Sequence, residues 1–599
     1  MDRKSLIILI ASFALLMLWY PLTNRLFPPT QLPPGARLAS TNATRPTGAV
    51  SSNLAEASAT TTISQAPTPS AFRAAMTNAA EQTLVLENSD VRYTFTSVGG
   101  GVKLIELKQY PATVECRKRA AATNSQLATL NATAPAPLLG ILGGEAVEGD
   151  GVFTLTKLGD AVRAEKVLSN GLRVVKEFRT STNYLLRAVV RLENRSERPL
   201  PLPAQEWVVG TATPMGMRDE SLQLGFEWYN GSQAERIDQA WFANRALGCL
   251  PGRPRSEFIG GQSNVVWAAV HNQFFTMIAV PAKPAPGLVG RKVDLPGPTR
   301  DQIASDSKVI AHPFGYEAAF YYPQVVMAPN EVNERQFDVY AGPKEYNTLS
   351  RLPNNMDLAM GFGGFFGFFA KALLLSMNGL HALKLPYGLA IIVITVIIKS
   401  LFWPLTRAST RSMKRMQELQ PQMKALQEKY KDDPRKMNAK LMEFMRENKV
   451  SPLGGCLPML LQIPVFFGFY RMLQSAIELR GASFLWACDL SQPDTVWVVP
   501  GLDFPVNPLP LVMGATMLWQ ARLTPASPGM DPVQQKMMKY MPLMFMVFLY
   551  KFSAGLTLYW TVQNLLTIAQ MKLTKSSDPA RPSAAKGLPG KSLAPKKKK

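Results

Sequence analysis

The sequence predicts an α-helical polytopic membrane protein with six spans, five of them forming a core, that carries a large all-β domain after the first span and a cytoplasmic helical hairpin after the second. Three observations predict it. The 599 residues are 47% hydrophobic and only 18% charged, and the two kinds are unevenly spread. Residues 81–345 alternate apolar and polar side chains between turn dipeptides, the period of half-buried strands. Beyond Pro353 the texture turns to long apolar runs of helical character.

The first span is residues 1–27. Met1, Asp2, Arg3 and Lys4 precede an almost unbroken apolar run over 6–22, with Trp19 and Tyr20 at interface depth. No pair of small residues spaced for cleavage follows directly after Tyr20, so the segment reads as an uncleaved signal-anchor rather than a removed signal peptide. Residues 28–80, dominated by Pro, Ala, Ser and Thr, have few bulky groups to bury and form a flexible linker. The β domain over 81–345 shows strands at 91–95, 102–107 and 152–155. Asn170-Gly171 and Asn230-Gly231 mark hairpin turns between alternating runs. A mostly antiparallel sandwich is the expectation.

Residues 361–384 are rich in Phe and Leu, but Lys371, Asn378, His381 and Lys384 edge one helical face, so the segment is expected to lie in the membrane interface. The remaining spans fall at 386–403, 457–477, 504–521, 537–551 and 555–571. Between them lie a hairpin at 404–455, an outer loop at 479–507, and a basic tail at 572–599. Charge sets the orientation. Residues 404–455 hold twelve Lys or Arg against six Asp or Glu, and the tail holds nine against one, whereas 479–507 holds one Arg against three Asp. Six spans with both termini in the cytoplasm put every basic segment inside and residues 28–345 outside. The formal charge of +22 is thereby assigned to the flanks of a membrane rather than to DNA.

Within the hairpin, Met413, Met416, Met423, Met437 and Met445 recur at helical spacing, with Asp433-Pro434 as the break and Pro421 as a kink. The stripe is either the hairpin's own seam or a docking surface for other polypeptides. Inside the spans the polar residues stand out, because ionisable groups there are costly. Lys399 follows eight mostly apolar residues, with Thr395 one turn before it on the same face. It lies close enough to the inner end of its span that snorkelling to headgroups is an equal reading. Trp560, Gln563, Asn564 and Thr567 share a face of the last span, and Gln462 stands in the third. They form either a shared wet groove or ordinary hydrogen bonds between helices.

Ordinary catalysis finds no footing. His271, His312 and His381 are scattered, no HExxH or GxSxG occurs, and Gly590-Lys591-Ser592 lacks the first P-loop glycine because Ala stands at 585. No cofactor, metal or catalytic residue is expected. Cys116, Cys249, Cys456 and Cys488 lack ligand-like spacing; Cys116 and Cys249 are free or paired with each other.

Pro452, Leu453, Gly454, Gly455, Cys456, Leu457 and Pro458, continuing through Gln462, Pro464 and Phe466, resemble the third-span signature of the YidC insertases. Asp531-Pro532 to Pro542 and Ser553 to Gln570 are similar to the family's last two spans, and residues 97–111 and 265–281 more loosely to the β-supersandwich of its Gram-negative members. The resemblance implies an inner-membrane insertase and chaperone, not an enzyme, with nascent membrane proteins as clients, working alone or with the Sec translocon. It implies a hydrophilic, positively charged groove that releases client segments sideways into lipid. The family usually carries Arg where this chain has Lys399, which keeps the charge and loses the planar fork. The basic tail ending in Lys596, Lys597, Lys598 and Lys599 is expected to meet ribosomes or lipid headgroups. A transporter would call for repeated halves, which are not visible. A sugar-processing module would call for a paired acid and base, which the β domain does not offer.

Overall fold

A computed structural model describes residues 80–114, 126–219, 221–245, 252–306, 308–448, 457–502, 504–523 and 532–573. The first span, nearly all of the linker, Cys116, Cys249, residues 452–456 and the lysine tail lie outside the described residues, as does the side chain of Met413. The chain divides into two compact units. One is mainly β, residues 23–375 with 468–491; the other is mainly helical, residues 1–22, 376–467 and 492–599.

The β unit bears out the strand reading and its antiparallel pairing. Nine strands form the large sheet, running from Ala234–Asp238 through Gly225–Tyr229, Trp267–His271, Phe275–Pro281, Val332–Pro343, Leu185–Asn194, Leu172–Thr180 and Ala161–Val167 to Thr154–Leu158. Sheets of five and four strands accompany it. Gly171 and Gly231, at φ +87° and +94°, make the two turns that Asn-Gly predicts. Period-two alternation gives the large sheet two different faces. One packs Phe226, Phe337 and Phe178 against Phe258, Phe320 and Phe95 of the smaller sheets, forming the sandwich core. Lys176 shares this face; its Nζ donates to the carbonyls of Gly99 and Leu139 at 2.8 Å each, and burial pushes its amine down to about 7.

The other face carries a ladder of ion pairs. Arg163 and Arg191 flank Glu177, Arg191 continues to Glu334, and Arg173 bridges Glu165 and Glu193. Toward the opposite edge the charges become buried: Glu227, His271 and Lys344 are at most 1% exposed. The register explains the gathering, because Glu227 pairs across to Arg236, and His271 to Gly225 two residues away on the same face. A strap following the last strand covers them. The indole of Trp267 donates to the Asn354 carbonyl at 2.9 Å, Asn355 donates to the Tyr229 hydroxyl at 3.0 Å, and Lys371 ion-pairs with Asp357 at 2.7 Å.

The outer loop at 479–507 is divided between the units. Its first part belongs with the β unit, where Arg480 donates to the carbonyls of Pro111 and Ala112 at 2.7 and 2.9 Å and lies over the rings of Phe274 and Phe275. Cys488 in this part is disulfide-bonded.

The helical unit and the segments joining it comprise α1 (Phe365–Ala382), α2 (Tyr387–Leu401), α3 (Trp403–Glu418), α4 (Gln420–Lys429), α5 (Pro434–Glu447), α6 (Leu457–Ser475), α7 (Pro508–Leu523), α8 (Pro532–Phe548) and α9 (Ala554–Leu573). The fourth expected span begins four residues late. Residues Phe504–Val506 are a strand paired with Trp497–Val499, and the helix starts only at Pro508, where Asp494 accepts from Leu509 N at 2.6 Å. Pro421 does not kink one helix but starts another, sitting in the first turn of α4. Asp433 caps α5 by accepting from Lys436 N, as the Asp-Pro break predicts. Among the described residues no single helix is long and apolar enough to cross a membrane alone; α2 joined to the first part of α3 across a 60° bend is.

Candidate functional site

The hairpin methionines resolve first. Met416, Met423 and Leu441 are buried together, and Leu426, Met437, Phe444 and Met445 pack against them. Four of the five predicted methionines therefore fill the seam between α3, α4 and α5. Met442, which the sequence reading passed over, is 58% exposed.

The polar residues of the spans separate into groups. Lys399, at the end of α2, is 8% exposed and donates from Nζ to Thr567 Oγ1 of α9 at 2.8 Å. Thr567 in turn donates to the Gln563 carbonyl at 2.7 Å. The Gln563 side chain donates to Gln462 Oε1 of α6 at 2.6 Å, and Gln462 donates to the Tyr559 hydroxyl at 2.8 Å. Three helices thus share one hydrogen-bonded row, and Tyr559, Gln563 and Thr567 supply it at four-residue steps along one face of α9.

The other predicted residues do not join the row. Thr395 donates back to Ile391 O at 2.6 Å, satisfying its hydroxyl within α2. Asn564 donates to Thr516 Oγ1 of α7 at 3.1 Å and ties two helices together. Trp560 meets Phe466 edge-on at 4.8 Å and lies 6.1 Å from Phe545. Sequence reasoning missed Tyr559 and the Gln570–Thr406 bond, although Tyr559 falls one turn before Gln563 on the face already singled out.

The row's electrostatics are uneven. Among the described residues Thr567, a neutral hydroxyl, is the hydrogen-bond partner of Lys399, and no carboxylate pairs with it. An ammonium has three donors, so donor capacity and a full charge remain for a guest. A low-dielectric site makes that charge felt over a longer range than in water.

A model of the 60Kd inner membrane protein family matches residues 379–581, and one of the YidC periplasmic domain matches residues 83–375. A membrane protein insertase YidC from Maridesulfovibrio salexigens is 31% identical over 95% of this chain and 98% of its own length. The protein of that name from Syntrophobacter fumaroxidans is 37% identical over 67% and 68%. That from Pelobacter propionicus reaches 45% identity, but the match covers 42% of this chain and 47% of the relative. Among solved structures, an active YidC insertase with its first transmembrane domain resolved covers 83% of this chain and 94% of its own, at 18% identity and a TM-score of 0.33. A putative aldose 1-epimerase from Escherichia coli covers 44% of this chain at 14% identity and a TM-score of 0.26, too distant to speak to function. On the match that runs along almost the whole length of both sequences, the chain belongs to the YidC family of membrane protein insertases.

Proposed function

We propose that this insertase draws the polar or acidic part of a client toward Lys399 while the client's apolar segment passes sideways into lipid. The observation that carries the reading is a cation, almost buried, whose hydrogen-bond partner is a neutral hydroxyl, at the end of a polar row spanning α2, α6 and α9. A carboxylate crossing hydrocarbon is costly, and an unpaired cation lowers that cost. Burial of the client's apolar side chains supplies the driving force, so no nucleotide or covalent step is asked of the site. Thr395, Asn564 and Trp560 shape the helix contacts around the row. Bonding of Lys399 to Thr567 favours attraction over snorkelling.

The test uses two clients differing only in acidic versus neutral residues in the translocated tail. Lys399→Arg keeps insertion, whereas Lys399→Ala and Lys399→Glu reduce it for the acidic client on the order of tenfold. Equal losses for both clients, or none, rule attraction out.

The remaining elements of the proposal concern topology and partners. The chain crosses the membrane six times with both termini inside, and labelling of a cysteine placed at Lys429 by an impermeant reagent from the periplasm would refute this. Lys596, Lys597, Lys598 and Lys599 meet ribosomes, which co-sedimentation at rising salt with and without residues 576–599 decides. The Sec translocon shares some clients, and depletion of it separates those from clients handled alone.

A further inference from the structure

The strands Trp497–Val499 and Phe504–Val506 form a small hairpin just before α7. It is unusually apolar for a surface turn. Val496 is 51% exposed, Trp497 58%, Leu502 77% and Phe504 49%, and residues 495–507 contain no Lys or Arg. Scattered apolar residues on a surface are ordinary, but a cluster this dense marks an interaction site.

Hydrogen bonds fasten the base of the hairpin. Thr495 donates to Asn507 Oδ1 at 2.7 Å, Asn507 donates to the Tyr550 carbonyl at 2.9 Å, and the Tyr550 hydroxyl donates to Pro505 O at 2.6 Å. The ring of Phe504 stacks on Tyr550 at 5.2 Å. Asn507 and Asp494, which fasten the base, are 1% and 4% exposed. On the first three turns of α7 the exposed residues are again apolar, Leu511, Val512, Ala515 and Trp519, and Arg522 is exposed only in the last turn.

We propose that this hairpin is a fixed lipid anchor, seated at the boundary between glycerol and acyl chains in the leaflet where α7 begins. The inference rests on the reading of α7 as a membrane span. Two features commit the surface to lipid. Its exposed side chains are the aromatic and aliphatic types that favour the bilayer interface, and they join a helix flank that faces hydrocarbon in that reading. Its only charged residue is Asp503 and it has no basic one, so it has no means of attracting anionic headgroups, and its seat depends on apolar burial. Held at a set depth, the hairpin fixes the height of α7 and, through Asn507 and Tyr550, of the end of α8.

The test places a ketone-bearing residue, labelled with a hydroxylamine nitroxide, at Val498, Leu502, Leu511 or the exposed Ser305 of the β domain in the full-length protein, reconstituted into phosphatidylethanolamine vesicles with or without phosphatidylglycerol. Collision with oxygen, which concentrates in lipid, is compared with collision with an aqueous nickel chelate. The expected result is an oxygen-to-nickel ratio at 498 and 502 several-fold above that at 305, lower than at 511, and unchanged by phosphatidylglycerol. Nickel-favoured collisions at 498 and 502 with a lipid-exposed 511 overturn the anchor alone. Nickel-favoured collisions at 511 overturn the span reading beneath it. Shielding of 498 and 502 from both reagents means that a protein surface, or a second copy, covers the hairpin, and overturns the proposal equally.

Discussion

Two buried lysines show what a single charge does in the two units. Lys399 has a hydroxyl partner, whereas among the described residues the Nζ of Lys344 has no hydrogen-bond partner; it lies near Glu227, Arg236 and His271, and Glu227 Oε1 likewise has no partner among them. Burial lowers the Lys344 pKa and the nearby Arg236 lowers it further, against the opposing pull of Glu227; burial raises that of Glu227. A lysine whose folded pKa is depressed to about 7 costs stability wherever the unfolded chain is charged, so the cost is full below about pH 7, fades as pH rises from there, and is gone above the ordinary lysine value of 10.5. Lys344→Met, which strands no hydrogen-bond acceptor and leaves Arg236 facing Glu227, is therefore expected to raise stability by roughly 2–4 kcal/mol at pH 7 and by little above pH 10.5. Thermal denaturation of the detergent-purified chain at both pH values checks it; a gain that does not shrink with rising pH assigns the effect to packing. The contrast also shows what a sequence discloses. Lys399, Gln563 and Thr567 were visible because an apolar span makes any polar residue conspicuous and helical spacing puts them on one face. Glu227 and Lys344 were not, because charges recur along many strands of this domain, as in Leu185–Asn194 and Val332–Pro343, and only the strap decides which of them lose water.

At the scale of elements, the hairpin α4–α5 separates a seam from a docking surface. Its methionine spacing was legible, but periodicity reports only that a face is apolar, not what covers it. The cover is internal: Met423 is 3% exposed against Met416 and Leu441. Met423→Ala should cost about 2–5 kcal/mol within the hairpin, because the truncated side chain leaves a cavity. Loss of amide-exchange protection over residues 434–447 is the readout. If the stripe serves only as a seam, Met442→Ser leaves client crosslinking to the hairpin unchanged. A loss of crosslinking with exchange intact would give the exposed Met442 the docking role that the sequence left as one of two readings of its neighbours. The strand Phe504–Val506 makes the opposite point: it read as the beginning of an apolar span because hydropathy does not distinguish a strand that carries Pro505 from the helix that begins at Pro508.

For the whole molecule, the question is how far the β unit takes part in insertion. Every residue of the polar row lies after Pro386, and the row is satisfied by α2, α6 and α9 alone. That argues for a core able to work without the β strands. The division of the chain qualifies it, since residues 468–491, which sequence reading gave to a span and its outer loop, belong with the β unit. Arg480 is fastened there by the Pro111 and Ala112 carbonyls and the faces of Phe274 and Phe275, none of which survives removal of residues 83–345. Buried donors left without acceptors cost about 1–3 kcal/mol each, but a guanidinium returned to water recovers most of that. A chain lacking residues 83–345 but keeping the first segment is therefore expected to insert simple clients at no less than about a third of the full rate, a barrier change below roughly 1 kcal/mol. Its loop around Arg480 should exchange amide protons far faster. Arg480→Ala in the full chain should loosen the same loop without removing the domain, so comparing the two separates loss of the clamp from loss of the β unit. Complete failure of the shortened chain to insert, with the protein stably present and Arg480→Ala active, would show that the β strands contribute to insertion beyond holding this loop.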